Sequence, residues 1–292
     1  MSVRVELSEG RARALSAAFG SVGLERVMEV EESLDPQLRS ASEVARRWGA
    51  GPGSLCSLLT ALISYRLAMR GEEWWACYRD FFERKECPGD PAAAVAAVGE
   101  FLRSCRGGVI AREAKARRLE RALAAAPALR RLVESPSEAI LGDPRALLSA
   151  LAAALGQDPQ DKTIVFSLKM AYYACRGTEC PGAVLPFHVG VPVDVRVSCV
   201  SHSSGLLEVA PAVDPVRAIM SRPEVARRAW FEVSRGSGIP PLHLDSLIWI
   251  VGRAPRDLPP EEARAAISRS LGPVLGPLAR GLAEELVLRP CR

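Results

Sequence analysis

Apolar residues in this chain recur at intervals of three and four, and that rhythm limits the possible folds more than any other feature of the sequence. It runs through Leu55, Leu58, Leu59, Leu62 and Ile63, through Val95 to Leu102, through Leu147 to Leu155, and through Ala263 to Leu286. On a helix of 3.6 residues per turn such positions share one face, so each stretch predicts a helix with a buried stripe. Breakers separate the stretches at Gly49–Gly53, Cys87–Pro91, Gly107-Gly108, Ser135-Pro136, Gly156–Pro159, Gly177–Pro181, Gly236–Pro241 and Arg253–Pro259. Their spacing predicts about ten to twelve helices. Period-two alternation is scarce, with some in Val191 to Val197 and an unpatterned apolar run in Val184 to Val189. No strand–helix–strand rhythm and no fixed-period repeat is visible, which argues against a TIM barrel, a doubly wound sheet and a solenoid.

At 292 residues and 48% hydrophobic content the chain can bury a substantial core in one large domain or two smaller ones. Its longest apolar runs, Leu55 to Ile63 and Leu247 to Val251, are too short to span a bilayer, so no membrane partner is expected. The opening MSVRVELSEGRAR lacks the apolar middle of a signal peptide, and a cytoplasmic location is expected. A net charge of +4 permits an anionic partner without requiring one. Between Ala111 and Arg131 seven basic residues face two acidic ones, which reads either as a nucleic-acid contact or as a solvated helix face. None of the eight cysteines forms a Cys-x-x-Cys pair and the three histidines are scattered. Neither a metal site nor a cofactor is therefore expected. Buried thiols are the default reading; Cys175 with Cys180, or Cys77 with Cys87, are the pairs placed to close a disulfide.

The chain takes its positive charge almost wholly from arginine. It has four lysines, Lys85, Lys115, Lys162 and Lys169, and two of them lie within DKTIVFSLKM, residues 161–170. A phosphate contact or a solvated face accepts either cation, but a guanidinium keeps its proton and cannot act as an amine nucleophile. A helix entered at Lys162 after the turn Gly156 to Asp161, with Asp158 and Asp161 as natural N-caps, places Lys162, Phe166 and Lys169 on one face. Ile164, Val165, Leu168 and Ala171 then supply the core face. Taken alone, the helix reads as amphipathic with two surface lysines. Thirty-two residues after Lys162, however, VPVDVRV sets Asp194 after a proline among apolar neighbours. Asp194 is either an N-cap or the carboxylate that takes a proton from a buried, and so activated, amine.

The order Lys then Pro-Val-Asp, with lysine entering one helix and aspartate starting the next element, resembles the helix-hairpin-helix DNA glycosylases. More narrowly, DKTIVFSLKM followed by VPVDVRV is similar to the archaeal 8-oxoguanine DNA glycosylase/lyase branch, AGOG. The likeness runs from Asp35-Pro36-Gln37 to Leu244-Asp245-Ser246-Leu247-Ile248-Trp249. Two departures from the wider superfamily, a hairpin with Gly156 alone in place of Gly-x-Gly and a longer gap from lysine to aspartate, favour the archaeal branch.

The resemblance implies an all-α fold of two helical lobes with a central cleft: residues 60–187 as the lobe carrying the lysine helix, and 1–59 with 188–292 as the second. It implies that a damaged nucleotide is swung out of the duplex, that Lys162 attacks its sugar, and that Asp194 activates the amine and stabilises the cation. It places Gln37, Trp75, Phe166, Lys169, Asp245 and Trp249 around the flipped base, Phe166 and Trp249 on its two faces and Gln37 at its Watson–Crick edge. Each also has a plain structural reading: Trp74-Trp75 as core, Asp245 as a charge at a helix N-terminus, Gln37 as a turn residue, Lys169 as a phosphate contact. The implied partner is DNA carrying oxidised guanine, and the implied state is a monomer at the nucleoid. Two other classes compete. A non-catalytic nucleic-acid-binding protein that keeps the glycosylase fold would have a Lys162 that is exposed with a normal pKa, or one far from Asp194. A Schiff-base enzyme acting on a small carbonyl metabolite is disfavoured by the lack of a phosphate-binding glycine loop.

Overall fold

A computed structural model describes residues 4–210 and 213–291. The chain begins with the short strand β1 (Val5–Leu7) and helices α1 (Glu9–Val22) and α2 (Leu24–Leu34). There follow α3 (Pro36–Trp48), α4 (Ala50–Leu62), α5 (Gly71–Phe82), α6 (Pro91–Ser104), α7 (Arg112–Ala122), α8 (Ala126–Glu134), α9 (Pro144–Leu155) and α10 (Lys162–Arg176). The remainder is α11 (Val195–Ser203), β2 (Leu207–Val209), α12 (Pro215–Met220), α13 (Pro223–Ser237), α14 (Pro241–Val251), α15 (Ala254–Asp257), α16 (Pro260–Leu275) and α17 (Leu278–Leu286). The breakers thus cut the chain into more and shorter helices than their spacing predicts. The alternation in Val191 to Val197 is not a strand; residues 191–194 have no regular secondary structure and lead directly into α11. The only sheet among the described residues is the antiparallel pair β1 and β2, with Val5 opposite Val209.

The helices fall into two units, one of Met1–Asp35 with Pro186–Arg292 and one of Pro36–Leu185. The boundary therefore comes before α3, so α3 and α4 pack with the lysine helix, whereas the sequence reading begins that lobe at residue 60.

In the second unit α4 is the central rod, buried at every helical position except Pro52. Its glycines allow the close approach: a Cβ on Gly51 would stand 2.1 Å from the Val133 carbonyl oxygen, and one on Gly53 2.5 Å from Ala45 Cα. Helix α10 lies against α3 and α4. Two buried hydroxyls fasten it there, Ser42 Oγ donating to the Tyr173 carbonyl (2.9 Å) and Ser54 Oγ to the Ala171 carbonyl (3.1 Å). Beyond α4, Trp74, Tyr78, Phe81 and Phe82 of α5 meet Phe101 of α6 at centroid separations of 4.6–6.4 Å. These edge-on and tilted contacts are the arrangement ring quadrupoles favour.

The first unit has its own core, in which Phe19 of α1 meets Trp230 of α13 edge-on and Val27, Val30, Leu244, Leu247 and Ile248 bring α2 and α14 together. Inside it His243 Nδ1 lies 2.9 Å from Glu31 Oε1, both side chains almost fully buried. A buried polar pair of this kind keeps its hydrogen bond because leaving either member unpaired costs about 1–3 kcal/mol or more.

Three disulfides replace the expected thiols. Cys175–Cys180 is one the spacing anticipates, while Cys87 bonds Cys56 instead of Cys77, and Cys199 bonds Cys291. The Cα separations of 5.1–6.3 Å sit within the span a disulfide bridges. Sequence spacing alone does not reveal that α4 passes beside the Cys87 loop. Cys77 and Cys105 are free. No helix of the described residues is long and apolar enough to cross a membrane.

Candidate active site

Within the second unit, the turn leading into α10 is built by polar contacts. Gly156 ends α9 in the left-handed conformation (φ 64°), which a glycine adopts without steric cost. Arg118 of α7 then reaches across to the Gln157 amide oxygen and to Thr163 Oγ1 (2.8 Å). Gln157 Nε2 donates to Asp161 Oδ2 (3.0 Å), and that same oxygen accepts the Asp158 backbone N–H at 3.4 Å. Asp161 occupies the N-cap position of α10, but its carboxylate folds back over the turn and does not cap the helix.

Lys162 is the first residue of α10 and is exposed. The amine is therefore not buried; the turn presents it at the surface. One turn on, Phe166 is half-buried, edge-on to Trp75 at 6.1 Å. From Ile164 onward α10 sinks into the unit, with Ile164, Val165, Leu168 and Ala171 all fully buried as the apolar stripe requires. Lys169 shares the face of Lys162 but is fully buried, its ammonium 5.4 Å from the Tyr173 ring. The two lysines lie about 10 Å apart along the helix axis, one at the surface and one inside. Gln37 is in the first turn of α3 rather than in a loop, and is buried. Trp75 is 1% exposed and packed as core, in contact with the Phe166 ring.

In the first unit Asp194 caps α11. Its Oδ1 accepts the backbone N–H groups of Arg196 (2.8 Å) and Val197 (2.9 Å). The plain reading of Asp194 as an N-cap is thus correct, and the cap uses Oδ1. Asp245 lies in the second turn of α14, past the first turn where the helix dipole acts, and is buried. Trp249, one turn further, is half-buried and lies under the Arg196 guanidinium, whose carbon stands 4.1 Å from the ring centroid. The structure thus groups Lys162, Phe166, Trp75, Lys169 and Gln37 on α3, α5 and α10 of one unit, and Asp194, Asp245 and Trp249 around α11 and α14 of the other.

Sequence reasoning did not single out Arg196, and it took Arg118 and Lys115 only as members of the basic stretch from Ala111 to Arg131. The scarcity of lysine could have flagged Lys115, one of the four. It is not on a solvated face: it is fully buried on α7, with its ammonium 5.4 Å from the Tyr65 ring, 5.9 Å from the Trp74 ring and 3.4 Å from the Arg66 carbonyl oxygen. Burial, helped by the neighbouring Arg112 charge, brings its pKa down to about 8.

The sequence matches the AGOG family of N-glycosylase/DNA lyases over residues 16–284. The chain belongs to the AGOG family. Among its relatives, the N-glycosylase/DNA lyase of Aeropyrum pernix is 45% identical over 286 residues, covering 96% of each chain. That of Pyrobaculum aerophilum is 32% identical over 247 residues, 85% of this chain and 88% of the relative. Among solved structures, the 8-oxoguanine DNA glycosylase Pa-AGOG of Pyrobaculum aerophilum, in complex with 8-oxoguanosine, superposes with a TM-score of 0.75 at 27% identity. The match covers 95% of this chain and 97% of that one. AGOG membership makes the chain a helical DNA-repair enzyme with N-glycosylase and DNA lyase activity. It also decides between the classes left open by sequence, in favour of an enzyme over a non-catalytic binding protein.

Proposed function

We propose that this AGOG enzyme excises 8-oxoguanine from DNA through a Schiff base on Lys162 and then cleaves the strand by β-elimination. The observation that carries the reading is Lys162 itself, an exposed amine at the first position of α10 with a half-buried aromatic ring one turn away. Lys162 Nζ attacks the sugar C1′ and the bond from C1′ to the base nitrogen breaks, so that the base leaves. The amine loses its proton to Asp194, and the sugar ring opens to an imine. Loss of a C2′ proton then expels the 3′ phosphate, and water releases the lysine. Asp194 also stabilises the positive charge that develops on the sugar as the base departs.

The base itself stacks on Phe166 and Trp249, contacts worth about 1–3 kcal/mol per base. Gln37, with both a donor and an acceptor, reads the Watson–Crick edge, and Trp75 backs the Phe166 ring. Oxidation of guanine turns N7 from an acceptor into a donor, so a buried acceptor can select the lesion. Asp245, a buried carboxylate on the helix that carries Trp249, suits that task, and Lys169 supplies a fixed buried cation on the Phe166 side. In this reading the enzyme works as a monomer on chromosomal DNA at the nucleoid.

The test is excision from otherwise identical duplexes carrying one 8-oxoguanine, one guanine or one oxidised pyrimidine at the same position. Release of 8-oxoguanine with strand cleavage, and of neither other base, is expected. Equal release of the oxidised pyrimidine would contradict the assignment of the pocket to a purine.

A further inference from the structure

Arg196 stands two residues after Asp194 and is held at three points within the first unit. Its backbone N–H donates to Asp194 Oδ1 (2.8 Å). Its Cβ lies against Gly252, where a side chain would come within 2.9 Å of it. Its guanidinium lies over the Trp249 ring at 4.1 Å while Nη1 donates to the Trp249 carbonyl oxygen at 2.5 Å. A half-buried arginine on a surface helix normally swings between rotamers. Here the side chain is fixed by the residue it covers, and its main chain is fixed by the carboxylate it neighbours.

An indole has two faces. With a planar cation seated on one, a flat ligand has only the other to stack upon. The cation also draws π density towards itself, which makes the opposite face a better partner for an electron-rich ring. A lysine would keep the charge but could neither lie flat on the indole nor keep the fork directed at the carbonyl.

We propose that Arg196 is a positioning residue for base stacking: it covers one face of Trp249, orients the other towards the flipped purine, and couples that ring to the Asp194 cap. This rests on the reading of Trp249 as a stacking residue. It predicts that Arg196 acts through Trp249 and not through a DNA phosphate, so its loss should affect the damaged base and leave undamaged DNA binding alone.

The experiment is a double-mutant cycle with R196K, R196M, W249A and the two combined variants. It is read as single-turnover excision from an 8-oxoguanine duplex over a range of enzyme concentrations, with binding to the undamaged duplex and melting temperature alongside. R196K and R196M are expected to raise the half-saturating concentration for the lesion duplex about tenfold, within the range set by aromatic stacking. Binding to undamaged duplex should change less than about twofold, as expected for a residue that makes no phosphate contact. In the W249A background neither Arg196 change should add to the loss. Wild-type half-saturation in both Arg196 variants, equal weakening on damaged and undamaged DNA, or additive losses with W249A would each overturn the proposal. Two further results distinguish it from the reading beneath it. A fully active W249A would sink the stacking role of Trp249 and the proposal with it. A weakened W249A beside unaffected Arg196 variants would remove the role of Arg196 alone. Should R196M fold poorly, R196K, which keeps charge and length, still decides.

Discussion

The two units hold their candidate residues by different means. In the second unit the helix behind Lys162 is held mainly by packing: apart from the polar turn that presents Lys162, α10 is buried from Ile164 onward, with Phe166 half-buried, and lies against the small-residue surfaces of α3 and α4. In the first unit the elements around Asp194 are held by directed polar contacts, a cap on α11 and an arginine spanning from that cap to Trp249. A packed wall tolerates the loss of a surface group at its edge. A wall of hydrogen bonds does not separate function from structure so cleanly, because Asp194 is both a cap and a proposed acid–base group. The most informative substitutions are those that separate these two roles.

The largest effect is expected at Lys162. Because it is exposed, Lys162→Gln should leave the melting temperature unchanged while base release falls to background, and Lys162→Arg should be as inactive, since a guanidinium cannot form the imine. A clear loss of stability in either variant would mean that this edge of the wall is structural after all.

Asp194 comes next. Asn caps helices nearly as well as Asp, so Asp194→Asn should keep the fold and lower the excision rate by about 10²–10⁴-fold. Asp194→Ala should show the same kinetic loss plus about 1 kcal/mol of destabilisation from the missing cap. Circular-dichroism melting beside single-turnover rates separates the two; an Asn variant of normal activity would reduce Asp194 to a cap.

At Phe166, half-buried at the edge of the packed wall, Phe166→Ala should raise the half-saturating concentration for the lesion duplex by about 5- to 150-fold, the equivalent of 1–3 kcal/mol of stacking. It should lower the saturated rate far less. A loss confined to the saturated rate would argue against stacking.

A smaller effect concerns pH. Lys115 in the fold holds its proton less tightly than in the unfolded chain, with a pKa near 8 against an ordinary 10.5, because burial disfavours the cation. Between those values the unfolded state binds more protons, so the contribution of this group to stability rises as pH increases from about 8 to 10.5. Lys115→Met should remove that rise in urea-melting midpoints and gain stability near neutral pH. An unchanged pH profile would show that the amine is not desolvated. Lys85 is the opposite case, in an exposed pair with Glu100, and Lys85→Ala should have no measurable effect.

Much of this was legible in the sequence. The three-and-four spacing gave the helices, and the stripe Ile164, Val165, Leu168 and Ala171 gave the buried face of α10, because burial follows periodicity directly. The scarcity of lysine drew attention to Lys162, and the resemblance named the other candidate residues. Three things were not legible. The place of α3 and α4 beside α10 depends on long-range packing at Gly51, Gly53, Ser42 and Ser54, small residues with no periodic signature. The Cys56–Cys87 pairing depends on the same packing. Arg196 over Trp249 joins residues far apart in sequence, and an arginine in VPVDVRV looks like any solvated one until the ring beneath it is seen.

The measurement that tests the central claim most directly is borohydride trapping on a duplex carrying one 8-oxoguanine, with wild type and Lys162→Gln side by side. A reduced covalent protein–DNA band with wild type, absent from the variant, is the predicted result. An equally strong band with Lys162→Gln would assign the Schiff base to another amine. Base release without any band would replace the lysine nucleophile with a water directed by Asp194.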